Sequence, residues 1–204
     1  VSVPNFRIAK CNFDGWKEPT KEELKKKNYK GRTILDYRIL SEPQKSGYQD
    51  VLEVLKKEKK LIESKLTSNN LGGTQRMFYD LYKEMSGTKQ RNDVLMFIHG
   101  YAYDFDDELQ AILELKKRYI DNPDSPVNHI LFISWPASSS VFPLTYFDDK
   151  AASINSGNSL LRLFYFYTQF LKDVFSDKDL VPCYHRIHIM AHSMGNRLLQ
   201  SMMY

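Results

Sequence analysis

The 204-residue chain has only two cysteines, Cys11 and Cys183. That excludes a disulfide framework and a CxxC metal site. Nine glycines and eight prolines are too few for a collagen-like or low-complexity chain. No apolar run reaches the ~20 residues that a membrane-spanning helix needs. The nearest candidate, residues 160–171, is broken by Arg162 and Gln169. Charge of one sign is also missing. Lys and Arg number 29 against 25 Asp and Glu, a net charge of +4. That balance gives no reason to expect nucleic acid as a partner. No His, Cys, Asp or Glu cluster has metal-ligand spacing, and no GxGxxG or Walker pattern occurs. Neither a metal nor a cofactor is expected. The chain starts at Val1 without a signal-peptide n-region or h-region. It stops at Tyr204 within a helix-forming run, with no Gly, Asn or Pro stop signal. A fragment is the expectation, with a cytoplasmic location favoured and the oligomeric state open.

What is present divides into two stretches, 1–90 and 91–204. In the first, residues 6–13 and 33–40 are rich in β-branched and aromatic residues, as strands are. Residues 47–66 read as a helix with Val51, Leu55, Ile62 and Leu66 on one stripe. Its other face carries Lys56, Lys57, Lys59 and Lys60. These are interleaved with Glu53 and Glu58, as Lys25, Lys26 and Lys27 are with Glu22 and Glu23, so both runs read as solvated faces. After a turn at 69–73, residues 74–85 form a second amphipathic helix with Thr74 as a possible N-cap.

From residue 91 the pattern changes. Val94-Leu95-Met96-Phe97-Ile98 is a continuous apolar run, as in a strand covered on both faces. Residues 104–119 read as a helix, and 130–135 as a second such strand. A long helix lies within 148–174, with Leu160, Phe164, Tyr167, Leu171 and Val174 as its stripe. Residues 186–191 read as a third strand, and a helix begins at Met194. Strand and helix alternate, which gives parallel βαβ units with right-handed crossovers.

The third strand runs into Ala191-His192-Ser193-Met194-Gly195-Asn196. This is small-x-Ser-x-Gly between a buried strand and a helix. Such a turn holds the serine in a strained backbone conformation with its hydroxyl clear of the sheet. Ala191 and Gly195 are small enough to let it close. The Met194 N–H then faces the place where an oxyanion would form. His99-Gly100-Tyr101 follows the first buried strand. A tight turn at Gly100 lets the Tyr101 N–H act as a second oxyanion donor. These loops share the carboxyl edge of the sheet, where open α/β sheets bind ligands.

Phe97-Ile98-His99-Gly100-Tyr101, then Phe132-Ile133-Ser134-Trp135-Pro136, then Ala191-His192-Ser193-Met194-Gly195-Asn196-Arg197 resembles the α/β-hydrolases. More narrowly it is similar to the bacterial family of uncharacterised α/β-hydrolases known as DUF900, as is Tyr146-Phe147-Asp148-Asp149-Lys150-Ala151-Ala152. The resemblance covers roughly residues 92–204. It implies an α/β-hydrolase fold, mostly parallel sheet flanked by helices, incomplete after the nucleophile elbow and preceded by a helical N-terminal region. It implies a serine hydrolase acting on a small-molecule ester, thioester or related acyl bond. Ser193 would be the nucleophile, with Met194 and Tyr101 forming the oxyanion hole through their backbone. His99, Gly100, Ala191, His192 and Gly195 would support them.

The fold places acid and base after the nucleophile. None of the 11 residues after Ser193 is His, Asp or Glu. His129 and His185 precede their strands and belong at the amino edge. His188 reads as a satisfied core residue, and His192 as a packing residue beside the turn. Asp148 and Asp149 read as a helix N-terminus. Acid and base are therefore expected beyond Tyr204. The competing reading is a non-catalytic α/β-hydrolase-like binding domain. Phe142, Leu144, Tyr146 and Phe147 fit an acyl pocket or packing against residues 47–90 equally well.

Overall fold

Apolar runs become strands when both of their faces are covered, and this sheet is covered on both. The computed structural model describes residues 7–11, 13, 20, 22, 35–39, 48–86, 91–101, 105–137 and 146–204. Its five strands are β1 (Arg7–Cys11), β2 (Leu35–Ile39), β3 (Asp93–Ile98), β4 (Val127–Ser134) and β5 (Ile187–Ala191). They lie in the order β2-β1-β4-β3-β5. The three strands of the second stretch are parallel, β4 to β3 and β3 to β5. β1 pairs antiparallel with both β2 and β4. The result is a partial α/β sheet, parallel in its three C-terminal strands, with an antiparallel margin.

Side chains alternate across a strand, so β3 supplies both faces of the sheet. Val94, Met96 and Ile98 enter one core cluster, while Leu95 and Phe97 enter the other. The second cluster is closed by Leu109, Ile112 and Leu115 of α3 (Phe105–Leu115). α3 passes into a π-helical turn, Lys116–Ile120. Arg91 holds that turn. Its guanidinium donates to the carbonyls of Tyr119 at 3.1 Å, Ile120 at 3.0 Å and Ser125 at 2.6 Å.

The first cluster is the larger. It is covered by α1 (Gln49–Lys59), α2 (Gly73–Met85), α4 (Tyr146–Ser176) and α5 (Gly195–Met203). Phe78 of α2 stacks on Phe170 of α4 at 5.7 Å between ring centroids and meets Tyr167 at 5.2 Å. The Tyr48 hydroxyl donates to Asp173 at 2.9 Å. The N-terminal helices thus share one core with the parallel sheet.

Three expectations need correction. The helix expected over 47–66 stops at Lys59, and Ile62 is exposed. The chain turns through Leu61, whose φ is +54°. The Leu61 N–H bonds Glu58 O and the Ile62 N–H bonds Lys57 O, a Schellman cap built without glycine. Thr74 is not an N-cap. Gly72 takes that place, and Gln75 reaches back to its N–H at 3.4 Å. His188 is half-exposed, not a core residue. It stands on the outermost described strand and is satisfied by Asp93 at 2.8 Å.

On the solvated face Lys56 pairs with Asp177, Lys57 with Glu53 and Lys60, just past α1, with Asp179. Lys25, Lys26, Lys27, Phe142 and Leu144 lie outside the described residues. Among the described residues no helix is long and apolar enough to cross a membrane.

α4 and α5 approach closely because the contact is made of small residues. A Cβ on Gly157 would lie 2.7 Å from Ser201 Cβ and 2.8 Å from Leu198 O. The Ser201 hydroxyl donates to Ile154 O at 3.1 Å. Gly157→Ala should therefore lower stability by about 1–3 kcal/mol in a urea melt. The improved helix propensity, ~1 kcal/mol, acts in the opposite direction. An unchanged or raised midpoint would mean that α5 can be displaced at no cost.

Candidate active site

The turn after β5 is pressed against the end of β3. The His192 N–H donates to Ile98 O at 3.0 Å, extending the β3–β5 pairing by one rung. The chain then reverses. Ser193 has φ +48°, in the left-handed region that costs a non-glycine residue ~1–2 kcal/mol. The Gly195 N–H bonds His192 O at 2.8 Å, and α5 begins. A Cβ on Gly195 would lie 2.6 Å from His99 O and 2.7 Å from Ile98 O. Only glycine allows α5 to start this close to β3. Asn196 braces the strained turn, its side-chain amide donating to Ala191 O and Ser193 O, both at 3.1 Å. Met194 is buried beneath the turn, while Ser193 is exposed.

His99 and Gly100 leave β3 beside this turn. A Cβ on Gly100 would lie 2.6 Å from His192 Nδ1 and 3.0 Å from Ser193 Cβ. Gly100, His192 and Ser193 are therefore in one cluster. The His192 side chain is exposed and lies over Gly100. The Tyr101 ring meets Tyr146, in the first turn of α4, at 6.0 Å between centroids. The buried Asp149 shares that turn with exposed Asp148. Sequence reading took both for a helix N-terminus, and nothing in the sequence pattern distinguishes the buried one.

His99 is a buried histidine, 1% exposed. Its ring lies between Phe132 and Trp135, with interplanar angles of 3° and 12°. The Trp135 backbone N–H donates to Nε2 at 3.1 Å, and the Trp135 indole donates to His99 O at 2.9 Å. A backbone N–H can only donate, so Nε2 carries the lone pair. The ring proton is then on Nδ1, which donates to Gly100 O at 2.9 Å. Burial, chiefly, holds the imidazole down to about 4. His99 is neutral at pH 7; its Nε2 joins the β3 loop to the β4 loop, and its Nδ1 holds Gly100 O within the β3 loop.

Three of the other four histidines lie at the opposite, amino edge. His129 meets Asn92 Oδ1 at 3.0 Å and Glu84 at 3.3 Å. His185 and His188 face Asp93 at 3.5 and 2.8 Å. Burial disfavours the Asp93 charge, but the Arg186 N–H and His188 outweigh it and hold the carboxyl below its usual range. Neither thiol is a nucleophile candidate. Burial pushes Cys183 up to about 11 and Cys11 higher still.

An open groove of about 450 Å³ runs from Ser193 along α5, past Asn196, Arg197 and Gln200. Its charge is that of Arg197, and its far end is apolar at Leu199 and Met203. Among the described residues no group of His, Cys, Asp and Glu has the geometry to hold a metal ion.

Two outcomes test this geometry. Ser193→Gly should be more stable than Ser193→Ala by about 1 kcal/mol, since only glycine takes a positive φ freely. Equal melting midpoints would contradict the strained turn. His99 supplies a pH effect. Its folded-state value of about 4 lies below the unfolded value near 6.5. The unfolded chain therefore takes up the proton first as pH falls. Stability should drop by roughly 3 kcal/mol between pH 6.5 and 4 and level off below that. Denaturant titrations across that range would show the slope, and His99→Phe should flatten it.

No curated protein and no solved structure gives a significant match to the chain. A family model does match, over residues 80–204, and it takes in the three parallel strands, the turn at Ser193 and the His99-Gly100 loop. On that match the chain belongs to the α/β-hydrolase family of unknown function DUF900.

Proposed function

We propose that this hydrolase-family chain carries the nucleophile and oxyanion hole of a serine hydrolase acting on an ester, thioester or related acyl bond. The observation that carries the reading is the positive φ at Ser193, held between β5 and α5 with Gly100 against its Cβ. Strain of this kind is kept where the surrounding structure over-determines it and the exposed group is used. The Ser193 hydroxyl attacks the carbonyl carbon of the acyl substrate. Its proton passes to a general base as the C–O bond forms, and the carbonyl oxygen becomes an oxyanion. The N–H groups of Met194 and Tyr101 receive that charge. Collapse expels the alcohol or thiol, which takes the proton from the base. Water then releases the acid from Ser193 by the same steps in reverse roles.

Base and acid are not assigned among these residues. His129, His185 and His188 are engaged at the amino edge, and His99 is buried and neutral. In this reading both groups come from outside residues 1–204. The helices within residues 48–86 act as a cover for the sheet, and the substrate is a small acyl compound. The same engagement of the histidines favours a second reading, a non-catalytic domain that uses the groove at Ser193 for binding.

A fluorophosphonate probe separates the two. The full-length protein should be labelled covalently at Ser193, and Ser193→Ala should abolish labelling. It should also lose p-nitrophenyl ester turnover by 10³-fold or more. Labelling that survives Ser193→Ala sinks the nucleophile assignment. A full-length protein that neither labels nor turns over ester is the binding domain of the second reading.

A further inference from the structure

The hydrogen bond from His99 to its own neighbour has a directional consequence. Gly100 O belongs to the peptide unit that joins Gly100 to Tyr101. A trans peptide is planar, so its C=O and N–H point in opposite directions. His99 Nδ1 holds the Gly100 carbonyl at 2.9 Å. The Tyr101 N–H is thereby turned away from the imidazole. Gly100 also borders the turn, since a Cβ there would touch Ser193 Cβ.

We infer that His99 is a positioning residue that aims the Tyr101 N–H at the oxyanion site beside Ser193. The inference rests on the proposed role of Ser193. It does not make His99 a proton carrier. The ring is fixed on each side, by stacking between Phe132 and Trp135 and by the Trp135 N–H on Nε2. The Trp135 bond selects the Nδ1–H tautomer, and that tautomer alone can donate to Gly100 O. The β4 loop thus sets the orientation of a peptide in the β3 loop.

The test is the rate of fluorophosphonate labelling of the full-length protein, because the phosphonyl oxygen occupies the oxyanion site. His99→Phe keeps a flat ring in the stack but removes Nδ1–H. Labelling should slow by ~10²–10³-fold, the usual effect of losing one oxyanion donor. His99→Asn places an amide N–H near the Nδ1 position and should stay within ~10-fold of the wild type. Ile112→Ala, buried on the far face of the sheet, should lower the melting temperature without slowing labelling.

A folded His99→Phe that labels at the wild-type rate would overturn the inference. So would a folded His99→Asn that is as slow as His99→Phe. Ring ¹⁵N NMR of the wild-type protein decides the matter if the variants do not fold. The proton must be on Nδ1, and a proton on Nε2 refutes the aiming contact. If the wild-type protein is not labelled at all, the Ser193 reading fails, and the ¹⁵N spectrum still tests the His99 geometry by itself.

Discussion

The contact between the turn after β5 and the end of β3 constrains everything around it. Gly195 lies where any side chain would strike His99 O and Ile98 O. That closeness forces the reversal to occur within His192 and Ser193, and Ser193 takes φ +48° as a result. The cost, ~1–2 kcal/mol, must be met locally or the turn would relax. Asn196 supplies two hydrogen bonds to the turn's carbonyls. Each is worth about 1 kcal/mol net. Burial of Met194 and Leu198 anchors the start of α5, and Gly157 lets α4 close over it. The strain at the serine is thus offset by contacts made on both sides of it.

The two edges of the parallel sheet use their polar groups differently. At the amino edge, charged side chains satisfy one another and the backbone. Asp93 takes the Arg186 N–H and two histidines, and Arg91 gathers carbonyls from the π-helical turn and the loop after it. These groups are engaged in holding strands and turns together. At the carboxyl edge the bonds are mostly to backbone atoms, and the one buried imidazole among the described residues there, His99, is neutral. A neutral ring in a fixed tautomer can orient a peptide without adding charge beside the serine turn. A protonated one would have two donors and would lose the bond from the Trp135 N–H.

The features legible in the sequence are those with local signals. The runs 94–98 and 130–135 announced strands buried on both faces, and the small-x-Ser-x-Gly pattern announced a serine turn. Strand order was not legible, because pairing of β1 with β4 depends on contacts across more than 100 residues. The end of α1 was missed because its stop signal is conformational. Leu61 takes the left-handed position normally marked by glycine. His188 was misplaced because an apolar strand pattern does not say which strand lies outermost. The contacts of His99, which the resemblance placed in support of the oxyanion hole, were not legible for a different reason. Its partners are backbone atoms of Gly100 and Trp135, and backbone atoms leave no residue-type signature. What the sequence did carry was the pair of flat apolar rings, Phe132 and Trp135, that sandwich it.

α4 connects these levels. Its first turn places Tyr146 against Tyr101, its middle admits α5 at Gly157, and its last turns carry Phe170 into the aromatic cluster with Phe78 and Tyr82. One 31-residue helix therefore touches the loop at the carboxyl edge, the helix after the serine and the N-terminal helices. Tyr101 is consequently held from two directions. The carbonyl before it is fixed by a ring in the β3–β4 loops, and its own ring is fixed by a helix seated in the core. The N-terminal helices contribute to the site through this seating of α4, without a residue of their own at the serine turn.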